Sequence, residues 1–310
     1  MEKTSKIYIA GHKGLVGSAI KKLLEKEGYN NIICKTSEEL DLRNQKKTEE
    51  FFRKEKPEYV FLAAAKVGGI KANIEKKAEF IYDNLMIETN VIHYSWKYKV
   101  KKLLFFGSNC MYPKECPQPI REEYFLTGLL EPTNDAYAVA KIAGVKLCQS
   151  YNSQYGTNFI CAVPCSIFGE NDNFDLNDSH FVPALIKKFH EAKIKKIDKV
   201  LLWGSGKPRR EIMYSEDIAS ASLFLMKNYN SSEIINVGVN IDLEVREIAE
   251  IIKEIVNYSG NIIFDSSKPD GMMKKLLDSS KINSIGWKPN INLKEGLKKT
   301  YNWYLENIKY

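Results

Sequence analysis

The sequence predicts an α/β fold, a doubly wound parallel sheet carrying a smaller mixed α/β cap. Three observations lead there. The chain opens with a strand, a glycine turn and a helix; short apolar runs alternate with helical patterns from residue 6 to 168; and beyond Gly169 the alternation becomes irregular.

Lys6-Ile-Tyr-Ile-Ala10 reads as a buried strand, followed at once by Gly11-His12-Lys13-Gly14-Leu15-Val16-Gly17 and a helical pattern that ends at Gly28. Glycines in such a turn let the backbone approach a pyrophosphate seated on the helix N-terminus, so this stretch predicts a dinucleotide site. Its place directly after the first strand supplies the context that a bare glycine pattern lacks. Asn31 to Lys35 is a second short strand. NAD-specific folds often place an acidic residue here for the ribose 2′-hydroxyl, whereas this chain reads Lys35-Thr36-Ser37. With Lys13 in the glycine turn, that favours the 2′-phosphate and makes NADPH/NADP the expected cofactor. Asp41 and Leu42 are placed for the adenine edge, and a helix from Gln45 to Lys56 is stopped by Pro57.

The run from Tyr59 to Ala65 reads as a parallel strand covered on both faces, bringing Ala63, Ala64 and Ala65 beside the cofactor. A long helix spans Lys77 to Tyr98. The next strand, Lys101 to Phe106, delivers Gly107-Ser108-Asn109-Cys110, and another, Phe159 to Pro164, leads into Cys165-Ser-Ile-Phe-Gly169. Ligands of such sheets sit beyond the carboxyl ends of the strands, where Ser108 and Cys110 emerge. Tyr137 and Lys141 lie four apart on the following helix and share a face. A phenol with a reference pKa of about 10 exchanges protons poorly near neutral pH unless a cation favours its ionised form, and Lys141 is placed to be that cation. Ser108, Tyr137 and Lys141 are therefore expected to converge.

Glu170 to His180 reads as a loop, Phe181 to Ala192 as a helix, and Lys199 to Trp203 as a strand leading to a basic turn with Arg209 and Arg210. Guanidinium groups suit phosphate oxygens. The expected organisation is a dinucleotide-binding domain over 1–168, rejoined by part of 212–240, with 169–211 and 241–310 forming the cap.

The 310 residues carry a net charge of +7, from 46 Lys and Arg against 39 Asp and Glu. The lysines are scattered, the mark of a solvated surface, so nucleic acid is not an expected partner. The six cysteines form no CxxC pair and have no His at ligand spacing, so neither disulfides nor a metal site is expected. No apolar run approaches the ~20 residues of a membrane span, and the first residues show no secretory pattern, so the protein reads as cytoplasmic.

The glycine turn, Ser108 and Tyr137-x-x-x-Lys141 come in an order that resembles the extended short-chain dehydrogenase/reductases acting on nucleotide sugars. The likeness continues through Leu62-Ala-Ala-Ala-Lys-Val-Gly-Gly, Phe80-Ile-Tyr-x-Asn84, Glu131-Pro-Thr-Asn134, Asp172-Asn-Phe174 and Ser267-Lys-Pro-Asp-Gly271, and covers nearly the whole chain. The resemblance implies a Rossmann fold and a GDP-sugar substrate, GDP-4-keto-6-deoxy-D-mannose, epimerised at C3 and C5 and then reduced at C4 to GDP-L-fucose. It assigns the epimerisation to Cys110 and His180. A C4 ketone acidifies the hydrogens on both flanking carbons, and a thiol and an imidazole, with reference pKa values of about 8.5 and 6.5, are suited to exchange them. In the reduction it assigns the proton to Tyr137, the oxyanion hydrogen bond to Ser108, and to Lys141 both the cofactor ribose and a lowering of the Tyr137 pKa. Pro164 and His180 join the implied cofactor set.

Asn109, Lys188, Trp203, Arg210, Asp270 and Lys275 are the implied substrate contacts, Arg210 for the diphosphate and Arg209 as a solvated neighbour. Packing at the end of its strand is the alternative for Trp203. Three positions depart from the family pattern. Asn109 replaces a Ser, Pro164-Cys165-Ser166 replaces Pro-Thr-Asn, and Lys188 replaces an Arg. They leave open another GDP-4-keto sugar, such as a GDP-heptose; a non-catalytic dinucleotide-binding protein is a remoter alternative. The helices around 77–98 and 137–154 look like the pair that joins such enzymes into homodimers.

Overall fold

The computed structural model describes residues 1–176, 178–268 and 270–308. Pro269 of the Ser267–Gly271 motif and the last two residues of the expected cap lie outside that set. The first half of the chain runs β1 (Ile7–Ala10), α1 (Leu15–Lys26), β2 (Ile32–Lys35), α2 (Gln45–Glu55), β3 (Tyr59–Leu62), α3 (Ile70–Glu75), α4 (Lys77–Lys97), β4 (Lys102–Phe106), α5 (Asp135–Tyr155) and β5 (Phe159–Pro164). It continues with β6 (Ser166–Phe168), α6 (Phe181–Ile194), β7 (Lys199–Trp203), β8 (Arg209–Arg210), β9 (Ile212–Tyr214), α7 (Ser215–Asn228) and β10 (Ile235–Val237). The last segment holds β11 (Leu243–Glu244), α8 (Val245–Val256), β12 (Asn261–Asp265), β13 (Lys274–Lys275), α9 (Ser280–Ser284) and α10 (Leu293–Asn307).

Six strands form one parallel sheet in the order β10-β5-β4-β3-β1-β2. Every residue of β1 and β4 is buried, as strands with helices on both faces require. The chain moves outward from β1 to β2 and then crosses back to β3, so the order reverses between β1 and β3. In open α/β sheets such a reversal marks where ligands bind, outside the carboxyl ends of the strands. β3 stops at Leu62, short of the expected Ala65, because the following backbone turns to meet the glycine loop. Only a hydrogen fits there: a Cβ on Gly11, whose φ is +86°, would stand 2.7 Å from the Ala64 nitrogen.

Two apolar clusters lie under these elements. One surrounds the six-stranded sheet and includes Leu277, Ile282 and Trp287 from the last segment. The other joins α6, α8 and α10 through Phe189, Ile252 and Tyr304. The buried Glu211 links the two regions, its carboxylate accepting from the backbone N–H groups of Val239 (2.7 Å), Asn240 (2.8 Å) and Leu277 (2.9 Å). Among the described residues no helix is long and apolar enough to cross a membrane.

Candidate active site

The glycine turn packs against the start of α1. A Cβ on Gly17 would lie 2.2 Å from the Gly11 carbonyl oxygen, so helix and turn touch through backbone alone. Gly14 caps α1 without any side-chain hydrogen bond, and no acidic residue stands in the first turn. Backbone N–H groups at this end thus have no side-chain acceptor, an arrangement that suits a pyrophosphate. His12 and Lys13 lie in the same turn, Lys13 exposed. Lys35, at the end of β2, pairs with Glu39 at 3.1 Å. Asp41 is tied to Arg43 at 2.9 Å, and Arg43 reaches Asp83 on α4 at 3.0 Å. Leu42 is buried, its carbonyl accepting from Asn90 at 2.8 Å. Ala63, Ala64 and Ala65 leave β3, and Pro164 ends β5, all along the same carboxyl edge of the sheet.

Ser108 lies two residues beyond β4 and caps the turn Asn109–Met111, accepting from the Cys110 N–H at 3.2 Å. Its hydroxyl also hydrogen-bonds Tyr137, at the start of α5. Burial holds the Tyr137 phenol well above its usual pKa, the charges of Cys110 and Glu88 add to that, and the Ser108 bond opposes them. The Lys141 ammonium lies 5.9 Å from the Tyr137 ring centroid but meets Glu88 at 2.9 Å, with both side chains almost wholly inaccessible. The sequence expects Lys141 to bring the phenol's pKa down. Here its charge is shared with Glu88, and burial governs the phenol.

Cys110 is half-buried between two donors. Asn134 Nδ2 lies 3.1 Å from Sγ and Lys275 Nζ 3.5 Å. Lys275 is thus brought into the same cluster as Ser108, Tyr137 and Lys141, from a strand of the last segment. His180 stands at the N-terminal end of α6, on a loop whose Asp178 carbonyl accepts from Gly69 at 2.8 Å. Its ring touches solvent, yet the protein around it disfavours the imidazolium and lowers its pKa.

The other substrate candidates lie on the cap side. Arg210 is half-buried on β8, opposite Lys275 in the β8–β13 register. Arg209 keeps a 40% exposed side chain and pairs with Asp242 at 3.2 Å. The Asp270 carboxylate accepts from the Ser205 N–H at 2.6 Å and from its hydroxyl at 2.8 Å. Lys188 reaches the Leu201 carbonyl at 3.5 Å. Trp203 is 64% exposed, with the Lys268 ammonium 5.8 Å from its ring, so it does not pack at its strand end. Asn109 is buried beside Cys110. Sequence reasoning missed Glu88 and gave Asn134 no role. Glu88 follows Asn84 by one helical turn on α4 and directly follows the apolar Leu85-Met86-Ile87, which was the available signal.

A hydrogen-bonded Ser and Tyr with a buried Lys, beyond the strands of a parallel sheet and beside an uncapped helix N-terminus, define a nicotinamide-dependent oxidoreductase of the short-chain dehydrogenase/reductase class. The chain belongs to the NAD dependent epimerase/dehydratase family, whose model matches residues 7–238. It is 52% identical over 308 residues to a putative GDP-L-fucose synthase of Arabidopsis thaliana, covering 99% of this chain and 94% of that one. Among solved structures it is similar to a GDP-6-OMe-4-keto-L-xylo-heptose reductase from C. jejuni, with TM-score 0.95, 43% identity and 99% of each chain covered. It is also similar to a GDP-L-fucose synthetase from Naegleria fowleri bound to NADP, with TM-score 0.93 and 32% identity, over 99% of this chain and 94% of that one.

Proposed function

We propose that this protein converts GDP-4-keto-6-deoxy-D-mannose to GDP-L-fucose by NADPH-dependent 3,5-epimerisation and 4-reduction. The observation that carries the reading is the joining of Ser108 and Tyr137 to a second reactive centre, Cys110, at one strand end. A reductase alone has no use for the thiol.

NADPH supplies the hydride for C4 when bound. The backbone from Gly11 to Gly17 would hold its pyrophosphate, Lys13 and Lys35 the 2′-phosphate, Asp41 and Leu42 the adenine, and Ala63 to Ala65, Lys141, Pro164 and His180 the remainder. Cys110 and His180 exchange the protons at C3 and C5. Tyr137 gives a proton to the C4 oxygen while Ser108 holds that oxygen by a hydrogen bond. Arg210 faces the diphosphate, with Asn109, Lys188, Trp203, Asp270 and Lys275 completing the sugar-nucleotide site. Two copies pair through α4 and α5.

Asn109, Cys165-Ser166 and Lys188, together with the similarity to a heptose reductase, support a second reading, C4 reduction of another GDP-4-keto sugar. Incubation with GDP-4-keto-6-deoxy-D-mannose and NADPH in heavy water separates the two. GDP-L-fucose with deuterium at C3 and C5 is the expected product. Oxidation of NADPH without that label leaves a simple reductase, and no oxidation points to heptose substrates.

A further inference from the structure

Adjacent residues on a strand point to opposite faces, and on β13 this sends two lysines to different tasks. Lys274 faces Asp242 at 3.6 Å, so its charge is met by a carboxylate. Lys275 turns the other way and puts its ammonium 3.5 Å from Cys110 Sγ. No salt bridge joins it to a carboxylate among the described residues. The backbone fixes this aim on both sides. Lys275 stands opposite Arg210 across the β8–β13 ladder, the Leu276 N–H donates to Gln118 at 2.9 Å, and the Leu277 N–H donates to the buried Glu211 at 2.9 Å.

Among the described residues the hydrogen-bond partners of Cys110 Sγ are the Lys275 ammonium, the Asn134 amide N–H at 3.1 Å, and the Asn109 side-chain oxygen at 3.8 Å. Two donors approach within 3.5 Å, and the one acceptor is the most distant. Both donors aim at electron pairs on the sulfur, and an ammonium at this distance is placed to stabilise the negative charge that the sulfur carries when it acts as a base. We propose that Lys275 is a positioning residue that holds Cys110 in its proton-accepting form, so that the base of epimerisation is completed only by the cap.

The inference rests on the epimerase reading above. In that step the C–H bond beside the C4 ketone breaks, the S–H bond forms, and the electron pair moves to the C4 oxygen. Lys275 loses and gains no bond. It holds the sulfur's charge before the proton arrives, and the Asn109 oxygen receives the S–H afterwards.

The test is alkylation of Cys110 by iodoacetamide at pH 7, followed residue by residue by mass spectrometry in wild type, Lys275→Met and Lys275→Arg. Methionine keeps the bulk of the stem and removes the charge; arginine keeps the charge. The expected result is a drop of about tenfold in the Cys110 rate for K275M and a rate within a few-fold of wild type for K275R. The half-buried Cys34, whose thiol the Lys275 charge does not reach, reports on the fold and should react alike in all three proteins. Deuterium entry at C3 and C5 should fall in K275M in parallel with alkylation. An equal Cys110 rate in wild type and K275M overturns the proposal. Alkylation needs no sugar, so it reads the Lys275–Cys110 pair even if GDP-4-keto-6-deoxy-D-mannose is not turned over, an outcome that would count against the function alone.

Discussion

At the scale of single residues, burial decides how the Ser108, Tyr137 and Lys141 group behaves. An ammonium as enclosed as that of Lys141 would cost several kcal/mol if unpaired, and Glu88 at 2.9 Å offsets it. The Glu88 carboxyl is itself pushed up by burial and pulled back by Lys141. For Tyr137 the largest effect is again burial, which raises its pKa. The sign follows directly. A phenol whose pKa lies above the usual value of about 10 stays protonated through neutral and mildly alkaline pH, so it remains a proton donor there. Reduction of the sugar ketone should therefore show no alkaline loss from Tyr137 below about pH 10, measured as single-turnover NADPH oxidation in buffers from pH 6 to 10. Tyr137→Phe should slow that oxidation by roughly 10²- to 10⁴-fold, with deuterium entry at C3 and C5 retained. A mutant that reduces at the wild-type rate would remove Tyr137 from the reaction.

At the scale of elements, Lys102 shows what joins β4 to α7. Its ammonium is buried and donates to the carbonyls of Leu225 (3.0 Å), Met226 (3.0 Å) and Tyr229 (2.6 Å) and to the Asn230 side chain (3.0 Å). Burial pushes the Lys102 pKa down to about 8, whereas three carbonyls at the negative end of α7 and the Asn230 side-chain oxygen favour the charge. Lys102→Met leaves those carbonyls enclosed without a donor and should destabilise the fold by about 2–4 kcal/mol, read as a lower urea midpoint with the same slope. None of this was legible in the local pattern, where Lys102 opens an apolar run and its partners lie more than a hundred residues away. The same holds for Lys275 and Cys110. What could be read was local: the strand, glycine turn and helix at the start, the Tyr137–Lys141 spacing, and α4, expected over 77–98 and found as Lys77–Lys97. Glycine turns and helical periodicity act over a few residues, and buried charge pairs form only after the chain has closed on itself.

At the scale of the whole molecule, α4 and α5 lie against each other and carry the reacting groups on their inner faces, Glu88 on one and Lys141 on the other. Their outer faces are unusually apolar. Tyr82 is 61% exposed and Val139 42% exposed, Leu85 and Met86 are half-buried, and all four belong to neither apolar cluster. A charged residue there would be the rule for a helix facing water, and burying these side chains against a second copy would remove them from it at roughly 25 cal/mol per Å². Sedimentation should therefore give a mass twice the 35.5 kDa of one chain. Placing carboxylates on the contact, with Leu85→Asp and Val139→Asp together, should return the mass to one chain, because two like charges meet their own copies across a two-fold interface. Since Val139 lies between Tyr137 and Lys141 in sequence but on the opposite side of α5, separation should also lower kcat by loosening the helix that carries both groups. A doubled mass that survives both substitutions would place the interface elsewhere, and a wild-type protein that sediments as one chain at every concentration would leave the apolar stripe without a second copy to cover it.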